Sequence, residues 1–209
     1  MAWEPRYKRD LLSQKSYKEN ESHSSENEYE TPPLSDLQRL LWINRSSTGS
    51  VNEVWPNLYL GDATAARDKG VLLNLGITHI LNAADGKFHI NTGPRFYRDM
   101  QVEYYGIEAD DDPAFDMSIH FRRASQFIRS GLNSQKGKVL VHCAMGISRS
   151  AALVLAYLLL HENLTLVDAI QTVCKHRDIC PNSGFMSQLR ELDIKLAQER
   201  KMRRDRFRV

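Results

Sequence analysis

The stretch that most constrains this chain of 209 residues is KVLVHCAMGISRSAALVLAYLLL, residues 138–160. Lys138–Val141 is a short apolar run of the type that forms a strand buried on both faces. Ser148–His161 is mostly apolar and reads as a buried helix. Between them, His142-Cys143-Ala144-Met145-Gly146-Ile147-Ser148-Arg149-Ser150 leaves room only for a tight polar loop with one glycine. A strand that passes through such a loop into a helix gathers successive backbone N–H groups around one concavity. The helix N-terminus adds its positive end. Arg149, at the start of that helix, carries a planar fork matched to two phosphoryl oxygens. The loop is an anion cradle of phosphate size.

The same field acts on Cys143. A free thiol titrates near ~8.5, and helix N-termini with cationic neighbours lower that to ~3.5–7.5. A thiolate at the floor of a phosphate cradle is a nucleophile facing phosphorus, so the expected chemistry is a cysteinyl-phosphate formed and then hydrolysed. Ser150 is placed to hydrogen-bond the thiolate and help it leave. Cys174 and Cys180, separated by five residues, read as small buried hydrophobes. They lack a second ligand pair, so neither a metal nor another cofactor is expected. Three cysteines cannot all pair, and reduced thiols point to the cytoplasm, or to the nucleus as well.

Around this segment, strands and helices alternate. Asn57–Leu60, Ile77–Asn82 and Val102–Ile107 read as strands, with a helix-like segment at Ala63–Lys69. Asp116 opens a helix carrying Met117, Phe121, Ala124 and Ile128 on one face. Thr165-x-x-Asp168 is a capping pattern for another. A last helix starts near Asn182 and places Phe185, Leu189, Leu192 and Leu196 together. The expected class is α/β: a mostly parallel sheet of four or five strands flanked by helices, with a helix-rich C-terminal half.

Four regions follow. Residues 1–33, rich in Ser, Glu, Asn and Lys, are expected to be disordered. Residues 34–50 hold a short helix with Leu37, Leu40 and Leu41 on one side, and a linker. Residues 51–198 form the domain, and residues 199–209 a basic tail of charge +4. The domain itself sums to −1, so its composition does not suit nucleic acid. The longest apolar run, Ala151–Leu160, is half the ~20 residues of a membrane span.

HCAMGISRS resembles the H-C-x5-R-S/T signature of cysteine-dependent protein phosphatases. VNEVWPNLYLGD, GITHILNAA, YYGIEADDDPAFD and ICPNSGFMSQL extend the resemblance from about Val51 to Glu199. They resemble the atypical dual-specificity phosphatases of the small muscle and testis branch. The resemblance implies the phosphatase fold and hydrolysis of phosphotyrosine and phosphoserine/phosphothreonine. It implies Cys143, Arg149 and Ser150 as catalytic, and Ala144, Met145, Gly146, Ile147 and Ser148 as the substrate-binding loop. His142 is implied to orient that loop by hydrogen bonds, without shuttling protons.

The departing oxygen of a phosphate ester needs a proton, which a nearby carboxylic acid supplies. The resemblance implies an acid on the loop GIEADDDPAF, and aligning that loop to the family by Phe115 implies Asp111, with Asp110 and Asp112 as the alternatives in register. Two further positions stay open. The resemblance implies that Arg177 contacts a second anion beside the cradle; the alternative is a surface arginine paired with Asp178. Asn182 either braces the loop or simply caps a helix.

The five uncharged residues of the loop disfavour highly anionic lipid head groups and RNA triphosphates. Phosphoproteins are the implied partners, MAP kinases among them, although no kinase-docking domain is read ahead of the body. Monomer and homodimer are both compatible with the sequence. A binding module that holds phosphoproteins without turnover is the competing class, and it usually lacks the cysteine or the arginine.

Overall fold

The computed structural model describes residues 29–43, 49–86 and 90–206. Its sheet has five strands: β1 (Val51–Trp55), β2 (Leu58–Gly61), β3 (His79–Asn82), β4 (Glu103–Gly106) and β5 (Val139–His142). They lie in the order β1-β2-β5-β3-β4, with β1 antiparallel to β2 and every other pair parallel. Strand β5 is central, and Gly61, His142 and Asn82 are level across β2, β5 and β3. The carboxyl ends of three parallel strands therefore open onto one crevice, where α/β sheets place their ligands.

Seven helices accompany the sheet among the described residues: α1 (Leu34–Ile43), α2 (Ala63–Arg67), α3 (Lys69–Leu75), α4 (Ser118–Asn133), α5 (Arg149–His161), α6 (Leu166–Cys174) and α7 (Ser183–Arg206). Side chains alternate across the pleat and so divide the core. Leu58, Leu60, Leu81, Val139 and Val141 join the core beneath α4–α7, whereas Tyr59, Ile80 and Leu140 pack with Leu72, Tyr97 and Met100 on the other face. Helix α5 lies at the centre of the first layer, packed against α4, α6, α7 and β5. Every residue from Arg149 to Leu159 is buried, which is why its sequence is apolar all round.

The expected helix at Ala63–Lys69 is two helices. Asp68 ends α2 and caps α3, its side chain accepting from the amide of Val71 at 3.0 Å. Strand β1 lies ahead of the first expected strand; of its five residues only Val54 is fully buried, so its apolar signal is weak. Thr165 caps α6 as its pattern implies. On α7 the buried set is Phe185, Met186, Leu189 and Asp193, with Leu192 and Leu196 only half-buried.

The ends also differ from expectation. Residues 29–33 were expected to be disordered, yet Tyr29 and Thr31 both donate to Asp193, at 2.5 and 2.7 Å. Residues 1–28 of that segment, and 44–48 of the expected linker, lie outside the described residues. Most of the expected basic tail continues α7 to Arg206, and residues 207–209 lie outside the description. No helix among the described residues is long and apolar enough to cross a membrane.

Candidate active site

Strand β5 ends at His142, and Cys143 follows at the floor of the crevice with 1% of its surface exposed. Its Sγ accepts hydrogen bonds from the amide of Gly146 and from Oγ of Ser150, each at 3.2 Å. Burial alone raises a thiol pKa. Here the Ser150 hydroxyl and amide, the Arg149 charge and the Gly146 amide outweigh it, and the pKa is lowered. Cys174 is the contrast: burial and the charge of Asp178 push it up to about 11.

The cradle is built from outside. The carbonyl of Ala144 accepts from the amide of Ala63 at 3.0 Å, and that of Ile147 from the amide of Cys180 at 2.7 Å. Arg177 holds the two between, with Nη2 donating to Met145 at 3.1 Å and Nε to Gly146 at 2.8 Å. A trans peptide places its N–H opposite its C=O, so four consecutive carbonyls held by the protein body leave the N–H edges for the concavity. The Gly146 amide, aimed at Cys143, is one of them. Gly146 has φ +68, and a Cβ there would collide with the Gly61 carbonyl and the Arg177 guanidinium. Only glycine fits.

Arg177 takes neither of its two expected roles. It is 1% exposed, so it is not a surface arginine, and its fork is spent. Besides the loop carbonyls, Nη1 donates to the Gly49 carbonyl at 2.7 Å and to Oδ1 of Asn52 at 2.8 Å. With every nitrogen engaged, it does not present itself to a second anion. Arg177→Ala is expected to lower turnover of singly and doubly phosphorylated peptides by the same factor. Thermal unfolding should show a loss of about 1–3 kcal/mol for each buried carbonyl left without its donor. A selective loss on doubly phosphorylated peptides would restore the second-anion role.

The segment between β4 and α4 brings Asp111 to the rim. Its Oδ1 accepts from Oγ of Ser148 at 2.6 Å and from Nδ2 of Asn182 at 3.0 Å, and its Oδ2 lies 3.7 Å from Nε of Arg149. Arg149 also donates from Nη1 to the carbonyl of Ala109 at 3.1 Å. Asp112 and Asp116 serve local turns instead, accepting from the amides of Ala114 and Ser118. Asn182 caps α7, its Oδ1 accepting from the amide of Phe185 at 2.9 Å, while its Nδ2 donates to the carboxylate of Asp111 and not to the backbone of the loop.

Two further contributors were not among the expected site residues. Gln188 accepts from the amides of Met117 and Ser118 at 2.9 and 3.0 Å and donates to the Phe115 carbonyl at 2.9 Å. It ties the Asp111 segment to α7. Gly184 lets the first turn of α7 lie on that segment, since a Cβ there would collide with the Pro113 carbonyl. The only sequence signal was their spacing, i to i+4 on one helix face, just after Asn182.

His142 meets the loop through a single hydrogen bond. Its Nδ1 lies 3.4 Å from the carbonyl of Cys143, and Nε2 has no partner among the described residues. Burial lowers its pKa to about 4, so the ring is neutral at physiological pH and fills space beneath the loop. No group of three or more metal-ligating side chains occurs among the described residues.

Residues 58–195, from β2 to the middle of α7, match the family model for the dual specificity phosphatase catalytic domain. The chain belongs to the dual specificity phosphatase family. It is 62% identical over 172 residues to dual specificity protein phosphatase 13B of Mus musculus, an alignment covering 82% of this chain and 87% of that protein. Human DUSP28 superimposes with a TM-score of 0.63 at 30% identity, over 73% of this chain and 98% of that one. A mouse putative dual specificity phosphatase complexed with zinc tungstate gives 0.63 at 29%, over 75% and 96%. As a dual specificity phosphatase, the protein hydrolyses phosphotyrosine and phosphoserine or phosphothreonine monoesters through a cysteine-based reaction. Both the cysteine and the arginine that a binding-only relative usually lacks are present.

Proposed function

We propose that Cys143 is the nucleophile, Arg149 the phosphoryl clamp, Asp111 the general acid and Ser150 the group that eases thiolate departure. The phosphoryl group enters the cradle with its oxygens on the loop N–H groups and the Arg149 fork. With Arg149 turned to the phosphate, the Asp111 carboxyl stands at the rim to give its proton to the leaving oxygen. The Cys143 thiolate attacks in line, the ester oxygen leaves as an alcohol or phenol, and the phosphoryl group rests on sulfur. Water then attacks phosphorus, Asp111 takes its proton, and the Ser150 hydroxyl supports the departing thiolate. Ser148 and Asn182 position Asp111, and Arg177 positions the loop.

The observation that carries this reading is the pair of donors on Sγ of Cys143, together with Asp111 held 3.7 Å from Arg149 at the same rim. The uncharged residues Ala144, Met145, Gly146, Ile147 and Ser148 support phosphomonoesters on protein side chains over polyanionic head groups. Tungstate, a tetrahedral oxyanion present in one related structure, is a natural occupant for such a loop.

Alkylation tests the reading before any substrate is known. At pH 6, iodoacetate should label Cys143 ahead of Cys180, although Cys180 is exposed and Cys143 is not. The thiolate is the reacting species, and the Ser150 and Gly146 hydrogen bonds with the Arg149 charge favour it at Cys143. Millimolar tungstate should slow that labelling. Faster labelling of Cys180, read by peptide mass spectrometry, would remove Cys143 from its role.

A further inference from the structure

Far from the cradle along α7, a carboxylate without solvent contact anchors the start of the described chain. Asp193 is 0% exposed. Its Oδ2 accepts from the hydroxyls of Tyr29 at 2.5 Å and Thr31 at 2.7 Å, and its Oδ1 from the amide of Leu166 at 3.2 Å. Nη2 of Arg200 lies 3.5 Å away. Nε of Arg190 donates to the Pro32 carbonyl at 2.8 Å, and the Pro33 carbonyl then accepts from the amides that open α1. Residues 29–33 are thus a strap laid across α7, fastened by side-chain hydroxyls instead of apolar burial. Half-buried Tyr29 lines two grooves, one shared with Arg200, Arg203 and Arg204 and the other with Arg190, Lys201 and the acidic Glu30.

We infer that Tyr29 is a phosphorylation site whose modification releases this strap from Asp193. The hydroxyl is the donor in the latch, and a phosphate in its place is a dianion with acceptor oxygens only. It cannot sit beside a buried carboxylate, because like charges repel most where water is excluded. The five basic side chains of the flanking grooves give the displaced phosphate a place outside the latch. Burial, followed by the hydrogen bond and charge of Asp193, raises the Tyr29 pKa to about 12, which keeps the unmodified latch in its donor form. The strap has few fastenings, so local opening exposes Tyr29 to a tyrosine kinase. That enzyme moves the terminal phosphoryl group of a nucleoside triphosphate to the tyrosine oxygen. The new O–P bond replaces the one to the diphosphate, which leaves, and the hydroxyl proton passes to the kinase's base.

The test installs phosphotyrosine at position 29 of the full chain by stop-codon suppression. A Cys143→Ser background prevents self-removal of the label. Amide exchange over residues 30–43 is compared with the unmodified chain and with Tyr29→Phe, which loses the donor without adding charge. The phosphorylated chain should exchange about tenfold or more faster than Tyr29→Phe, the scale of a repelled charge against a merely lost hydrogen bond. With Asp193→Asn, that increment should shrink. Exchange no faster than in Tyr29→Phe, or an increment unchanged by Asp193→Asn, would overturn the proposal.

Discussion

Replacement of Cys143 by serine is expected to abolish turnover while leaving the fold and the oxyanion cradle intact. Serine fits the same volume and accepts the same two hydrogen bonds from Gly146 and Ser150. The field that lowers the thiol pKa cannot bring a hydroxyl to ionise near neutral pH, so no strong nucleophile faces phosphorus. A loss on the order of 10⁴–10⁶-fold is expected, the scale on which covalent catalysts fall when the nucleophile goes. Thermal stability and tungstate affinity should stay close to those of the unaltered chain. Peroxide should inactivate the unaltered chain reversibly, since the low-pKa thiolate is the species that oxidants attack. More than a few per cent of the original activity in Cys143→Ser would refute the assignment.

The second large effect is selective. An aryl phosphate with a good leaving group needs little protonation, whereas the alkoxide of serine or threonine needs nearly a full proton in the transition state. Asp111→Asn should therefore cut activity on phosphothreonine peptides by ~10²–10⁴-fold, the usual contribution of general acid catalysis. Activity on an activated aryl phosphate should fall far less. The amide oxygen can still accept from Ser148 and Asn182, so the geometry of the rim is preserved. The acidic limb of the rate profile, set by thiolate formation, should persist. The alkaline decline caused by loss of the acid's proton should flatten. Steady-state rates on the two substrates, measured across pH, decide it. A profile that flattens in Asp110→Asn or Asp112→Asn instead would place the acid one residue away.

The central part of the fold was legible because its determinants are local. A strand buried on both faces, five loop residues and an apolar helix are contiguous, and they alone fix Cys143, the concavity and Arg149. Asp111 was reachable only through the resemblance, and its contacts with Ser148 and Asn182 distinguish it from Asp112, which serves its own turn. Arg177 was not legible. Its fork binds Gly49 and Asn52 from more than 120 residues away, and no local pattern announces a buried guanidinium satisfied by backbone carbonyls. The strap was missed for a related reason. Tyr29 and Thr31 are polar and lie in a stretch whose composition argues against a core, and their fastening is a carboxylate buried on a helix face. Apolar periodicity cannot foresee a buried Asp193. Strand β1 escaped because it is an edge strand with one fully buried side chain, held by pairing to β2 more than by its own apolar content.

One measurement reaches the centre of the account. The chain is mixed with a rapidly cleaved aryl phosphate, quenched in acid within milliseconds and digested, and the peptide spanning residues 138–149 is weighed. An added phosphoryl group is expected on Cys143. The adduct should accumulate further in Ser150→Ala, where departure of the thiolate loses its hydrogen bond, and should be absent in Cys143→Ser. Turnover with no phosphoryl group on Cys143 at any quench time, in the unaltered chain or in Ser150→Ala, would contradict a covalent cysteine mechanism at this site.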